Sequence, residues 1–291
     1  MQIASYRFQL LAPNGASSAN VSGAISCESD SYDHYLSSLQ KLRAESYVSD
    51  GAIAPDRVDE EGRFPMHRDE DCWHFLLVDP ERQVVGCVRY LAHPPTASIG
   101  DLLISHSPLG NDTLWGGKFH ETLRSDLAFA RRNVLAFIEV GGWAIDVAYR
   151  HTRAALEILL ASFAWARMMG GGIGCCTATV RNNSASMLRR IGGCSFEYNG
   201  EAIPPYSDAK YGCTMEALRF HFQNFDPRYQ KTVDSIYNRI AEQPIITRSS
   251  HEDAGRADAA GATHSLLALD RALHSANQAV AAAPECVSFP A

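Results

Sequence analysis

One stretch constrains this chain more than any other: Val134 to Arg153, reading VLAFIEVGGWAIDVAYRHTR. An apolar run (Val134, Leu135, Phe137, Ile138) ends in Glu139, and Gly141, Gly142 and Trp143 follow. The run reads as a buried strand, and paired glycines inside a strand pattern predict a bulge or a close backbone approach. A second short apolar run, Ala144 to Val147, leads into Tyr149-Arg150-His151-Thr152-Arg153, where a helical pattern begins. The first N–H groups of a helix have no intrahelical partner, so a helix starting just after a strand suits an anion. A carboxylate, loosened backbone and an anion cradle therefore lie close together in sequence.

The rest of the chain limits what can surround that stretch. Its 291 residues, 46% hydrophobic and 20% charged, suit one large domain with extensions or two small ones. No run of ~18 apolar residues occurs, and the polar start MQIASYRFQLLAP does not resemble a secretory signal. A cytoplasmic protein is expected. Eight cysteines are scattered without CxxC or zinc-ligand spacing, which predicts reduced, mostly buried thiols and no metal site. The net charge of −7 argues against nucleic acid as a partner. Yet between Lys118 and Arg190 ten basic residues face five acidic ones. A basic centre suits a phosphorylated or acidic partner, though arginines spread over solvated helix faces would give the same count.

Periodicity and turn signals then order the elements. Residues 5–11 read as a strand and 13–31 as a Ser/Asn/Gly/Ala loop. A helix capped at Asp33 runs to about Tyr47, and a polar loop spans 49–71. Trp73–Val78 and Gln83–Leu91 form a hairpin about Asp79-Pro80-Glu81-Arg82. Ile99–Ser105 reads as a further strand and Trp115–Arg132 as a helix. After the central stretch come a helix (151–169) stopped by Gly170-Gly171-Gly172, a strand (173–180), a short helix (182–191), a strand (195–198), a loop (199–210), a strand (211–222) and a helix (227–242). Strand–helix–strand of this length predicts a parallel crossover. The expected class is α/β, a mixed central sheet flanked by helices. The boundaries fall at 1–31 (strand and flexible segment), 32–243 (main domain) and 244–291 (Ala-rich tail with one amphipathic segment, Leu266 to Val280).

At this point the residues resemble the GNAT N-acyltransferase superfamily over roughly 36–240. Its phosphate-binding signature, Arg/Gln-x-x-Gly-x-Gly/Ala, is matched by Arg150-His151-Thr152-Arg153-Ala154-Ala155, with Arg153 at the central glycine. Its later motif is matched by Asn182, Ala185, Leu188 and Gly193 at every spacing, with Arg189 in place of the usual Tyr. Arg153 suits a single phosphate better than the pyrophosphate of coenzyme A. That is similar to the branch using acyl carrier protein, which includes the acyl-homoserine-lactone synthases and the long-chain N-acyl amino acid synthases. Leu42-Arg43 with Tyr47, Gly86-Cys87-Val88-Arg89 and Glu139 resemble that branch. Gly142 stands where the lactone synthases usually carry Arg, so EVGGWAI and the PPYxDxxYGC run (Pro204 to Cys213) point to the amino acid synthases.

The resemblance implies transfer of a fatty acyl group, long-chain as in the amino acid synthases, from an acyl-carrier-protein thioester (or acyl-coenzyme A) to an amino acid. In this reading Glu139, directly or through a water, takes the amine proton, and backbone N–H groups of Gly141, Gly142 and Trp143 face the oxyanion. Arg150, His151, Thr152 and Arg153 hold the phosphate, and Asn182 meets the pantetheine arm. Arg43, Arg89, Phe137 and Tyr206 contact substrate, with Phe137 and Trp143 along an acyl tunnel. Tyr198, Tyr206 and Tyr211 are candidates to protonate the leaving thiol. The lipid product implies at most weak membrane association. Each residue also has a purely structural reading as salt bridge, packing bulge, surface arginine or core aromatic. The alternatives are a lactone synthase, a coenzyme A-dependent acetyltransferase, and a non-catalytic acyl- or partner-binding module.

Overall fold

The computed structural model describes residues 5–14, 16 and 25–248. The strands are β1 (Arg7–Leu11), β2 (Ile25–Cys27), β3 (Trp73–Val78), β4 (Val84–His93), β5 (Ala136–Ile145) and β6 (Gly172–Thr179). They continue with β7 (Cys194–Ser195), β8 (Glu197–Tyr198), β9 (Glu201–Ala202), β10 (Tyr206–Asp208), β11 (Cys213–His221) and β12 (Ile245–Thr247). The helices are α1 (Ser29–Ser49), α2 (Gly116–Arg132), α3 (Arg153–Met168), α4 (Ser184–Arg190) and α5 (Gln230–Ala241). One mixed sheet runs β10-β11-β6-β5-β4-β3-β1-β12-β2, with β7 on β11, and β8 and β9 form a separate ribbon.

Local chemistry explains the central elements. The β3–β4 turn closes because the Asp79 carboxylate accepts the Gln83 N–H at 2.7 Å. Helix α3 starts where the Thr152 hydroxyl accepts the Ala154 N–H at 3.2 Å, a cap worth about 1 kcal/mol. It stops where Gly171 takes a φ of +108° and returns its N–H to the Ala166 carbonyl. Between these ends α3 is apolar nearly all round, because it lies between the sheet and α5. Ile158, Leu160, Phe163 and Trp165 are buried there, each contributing roughly 1.5–3 kcal/mol. Trp165 stacks on Tyr90 of β4 at 5.5 Å. The other face of the sheet is covered by α2, over Phe137, Ile173 and Cys175, and by α1, over Leu76, Val78 and Cys87.

Two departures from regular pairing shape the site. Strands β5 and β6 pair in parallel only from Ala136↔Gly172 to Glu139↔Cys175, and then part. Along β4 the register jumps from Cys87↔Ala144 to Arg89↔Gly141. Gly142 and Trp143 thus have no register partner on either neighbour, which is the bulge the paired glycines predict.

Some expectations are corrected. Ile99–Ser105 is not a strand but two 3-10 turns, Ile99–Asp101 and Leu103–His106. Helix α1 begins at Ser29 rather than Asp33, and β2 lies inside the segment read as loop. The 195–198 strand splits into β7 and β8, and the 199–210 loop holds β9 and β10. The sheet runs past the 243 boundary, because β12 inserts between β1 and β2. The amphipathic segment Leu266 to Val280 lies outside the described residues. Of the seven described cysteines, Cys72, Cys87, Cys175 and Cys176 are buried, and Cys27 and Cys194 are exposed. No helix among the described residues is long and apolar enough to cross a membrane.

Candidate active site

Where β5 and β6 part, the gap becomes a cavity of about 400 Å³. Its wall includes the bulge (Gly141, Gly142, Trp143), the facing strand (Cys176, Thr177, Ala178), and Leu159 and Met187 from the helices. Arg150 and His151 lie at one side of it and Asn182 at another. The structure therefore gathers six expected residues, Gly141, Gly142, Trp143, Arg150, His151 and Asn182, around one space.

The bulge is backed by charge. Gly142 has a φ of +62°, and a Cβ placed there would stand 3.1 Å from Arg43 Nη2. Only glycine meets both demands without strain. Arg43 is 0% exposed. Its Nη1 donates to Asp69 at 2.9 Å and to the Phe64 carbonyl at 3.3 Å, while Nε and Nη2 have no partner among the described residues. The Trp143 indole N–H is likewise buried and unpartnered. Buried donors without acceptors cost roughly 1–3 kcal/mol each, so such a group beside a cavity calls for an explanation.

Asp69 ties this region together and was not singled out in the sequence. It accepts from Arg43, from Arg89 Nη1 at 3.2 Å, from Gln40 Nε2 at 3.1 Å and from the Met66 N–H at 2.9 Å. Burial opposes its charge, but Arg43, His74 and Arg89 outweigh it and hold the carboxyl at about 2. Two arginines around one carboxylate leave one positive charge beneath Gly141 and Gly142. Nothing local distinguishes Asp69 within the acidic run Asp69-Glu70-Asp71; only the fold brings Arg43 and Arg89 to it.

Glu139 sits at the parting point yet does not line the cavity. It is 8% exposed, and both oxygens are occupied. Oε1 accepts the Ile104 N–H at 2.7 Å, and Oε2 accepts the Leu103 N–H at 2.8 Å and lies 2.7 Å from His93 Nε2. The geometry does not fit direct proton abstraction; the carboxylate fastens the 99–106 segment to β5. Phe137 and Tyr206 belong to the α2 side of the core instead of the cavity wall.

The anion cradle is also rearranged. The Thr152 N–H bonds the Tyr149 carbonyl, whereas the His151 and Arg153 N–H groups make no hydrogen bond among the described residues. The Arg153 side chain is 81% exposed and leans on Glu157 at 3.3 Å. Arg150 is the cation that faces the cavity, paired with Asp50. Arg189, at the motif's Tyr position, binds Glu216 and Ser195 outside the cavity. Of the three tyrosines considered for the leaving thiol, Tyr211 lines the cavity, next to Tyr47. Burial raises the hydroxyl of each. Cys176 reaches the wall too, but burial pushes its thiol up to about 12, which disfavours a thiolate nucleophile.

No protein-family model matches the chain, and no curated protein does. Solved structures similar to it include BjaI, a CoA-dependent acyl-homoserine lactone synthase with SAM and isopentyl-CoA: 14% identity, 94% of this chain and 100% of that one, TM-score 0.48. The AHL synthase LasI is similar at 15% identity over 80% of this chain and 96% of that one, TM-score 0.48. FeeM, an N-acyl amino acid synthase from uncultured soil microbes, is similar at 12% identity over 76% of this chain and 93% of that one, TM-score 0.43. At such distance the chemistry rests on the residues of this cavity.

Proposed function

We propose that the protein is an N-acyltransferase moving a fatty acyl group from a phosphopantetheine thioester, carried by acyl carrier protein, to the amine of an amino acid. The observation that carries this is the bulge: Gly142 and Trp143, without a register partner on either neighbouring strand and backed by the orphan donors of Arg43 and Trp143, at the cleft between β5 and β6. Attack of the amine on the thioester forms the N–C bond and puts negative charge on the carbonyl oxygen. Donors fixed in advance at that spot stabilise the charge without reorganisation. Collapse breaks the C–S bond; Tyr211, a wall residue, passes its proton to sulfur and takes back, through water, the proton the amine nitrogen sheds, leaving amide, thiol and neutral Tyr211. Arg150 and the free His151 and Arg153 N–H groups hold the pantetheine phosphate. Asn182 faces the arm between them. Arg43 and Arg89 act from beneath the bulge, through their shared charge with Asp69. Glu139 is a positioning residue in this reading.

The test is mass spectrometry of purified protein incubated with acyl-carrier-protein or acyl-coenzyme A thioesters and a panel of amine acceptors, amino acids and S-adenosylmethionine. An N-acyl amino acid is the expected product. Formation of a homoserine lactone would move the protein to the alternative chemistry, and absence of any product with every donor would refute transfer.

A further inference from the structure

The mouth of the cavity is strapped by the C-terminal end of α1. The Asp50 carboxylate takes both arms of Arg150, at 2.7 and 3.3 Å. Arg181, beyond β6 on the other side of the cleft, donates to the carbonyls of Asp50 (3.3 Å) and Gly51 (2.8 Å). Asp50 thus stands in the cradle proposed for phosphate, bound as a phosphate oxygen would be. It also carries the negative end of the α1 dipole into that cradle, with no basic residue in the helix's last turn to offset it. The neighbouring charges do little to compensate. Arg153 pairs with Glu157, which also holds Arg239 at 2.8 Å, and the Asp146 carboxylate accepts the Ala148 N–H nearby.

We propose that Asp50 is a donor-specificity residue, setting how much negative charge the cradle accepts. This rests on the donor reading above. A serine-linked phosphopantetheine brings one phosphodiester charge, which Arg150 and Arg181 can accept once Asp50 swings off. Coenzyme A brings a pyrophosphate and a 3′-phosphate, and each added charge is repelled by the Asp50 carboxylate beside Arg150. Asp50 therefore favours the carrier-bound arm over the free coenzyme.

Titration calorimetry on the full chain tests this with three probes of rising charge: pantetheine 4′-phosphate methyl ester, dephospho-coenzyme A and coenzyme A. In Asp50→Asn, coenzyme A should bind about tenfold tighter and the methyl ester less than threefold tighter, the gap closing in high salt. Asp50→Ala should show the same ratio, which separates charge from hydrogen bonding. Equal gains for all three probes, or none, would overturn the role of Asp50 while leaving the donor site standing. If no probe binds the wild type or either variant, the donor reading falls and this inference with it.

Discussion

Replacing Glu139 by Gln separates the two roles a carboxylate can play at the point where β5 and β6 part. Three donors converge on it: His93 and the Leu103 and Ile104 N–H groups, at 2.7–2.8 Å. A glutamine has one acceptor oxygen. Its NH₂ must face either the Ile104 or the Leu103 N–H, and the histidine tautomer can relieve neither clash. One buried amide is orphaned and the others lose charge assistance, a cost of about 2–4 kcal/mol. For a domain of this size that lowers Tm by roughly 5–15 °C. Thermal unfolding followed by circular dichroism reads the stability, and initial rates at a temperature where both proteins are folded read the chemistry. Because Glu139 faces away from the cavity, kcat should fall by less than about tenfold, below the 10²–10⁴ typical of a lost general base. An unchanged Tm with a hundredfold loss of kcat and a vanished acidic limb in the pH profile would refute the positioning role and restore Glu139 as the base.

The other expectations are shorter. Gly142→Ala, at a φ of +62° and with its new methyl 3.1 Å from Arg43, should cost about 1–3 kcal/mol and lower kcat more than it changes KM, as steady-state kinetics will read. Arg150→Ala should raise the donor KM about tenfold, whereas Arg153→Ala, an exposed side chain, should change it less than threefold; equal effects would return Arg153 to the cradle. Stability should fall with acid in two stages, read by urea unfolding from pH 7 to 2. Burial holds the folded His74 down to about 4, so stability declines as pH drops from the unfolded value of 6.5 towards 4. Asp69, at about 2 when folded, stabilises above its ordinary 3.8, and that part is lost as pH falls through 2. Each contributes about 2–3 kcal/mol, and a flat profile between pH 7 and 4.5 would contradict the first stage.

What could be read without the fold was what neighbours in sequence decide. The Asp79–Arg82 turn, the start of α3 close to His151 and the bulge at the paired glycines are set by residues a few positions apart, and each lies where expected. Ile99, Leu102 and Ile104 suggested a strand, but two of that segment's N–H groups are claimed by Glu139, thirty-odd residues on, and the backbone winds into 3-10 turns instead. The site divides the same way. The residues along β5 and the start of α3 were nameable from one contiguous stretch. Asp69 and Asp50, which fix the charge of the bulge and of the cradle, act only on arginines brought to them by the fold. Phe137 failed as a cavity residue because side chains alternate along β5, and its phase points to α2.

Strand β12 bears on how the molecule comes into being. Ile245 and Ile246 fill the gap between Leu10–Leu11 of β1 and Ile25–Ser26 of β2, parallel to both. During synthesis every residue proposed for chemistry emerges before that strand does. Until it arrives, β1 shows an open edge beside a buried apolar face, a template for pairing with another chain. Completion of the sheet therefore waits on a pairing between segments more than two hundred residues apart, the kind of contact that slows folding most. The nascent protein thus carries the residues that line its cavity before it carries the strand that covers the edge of β1.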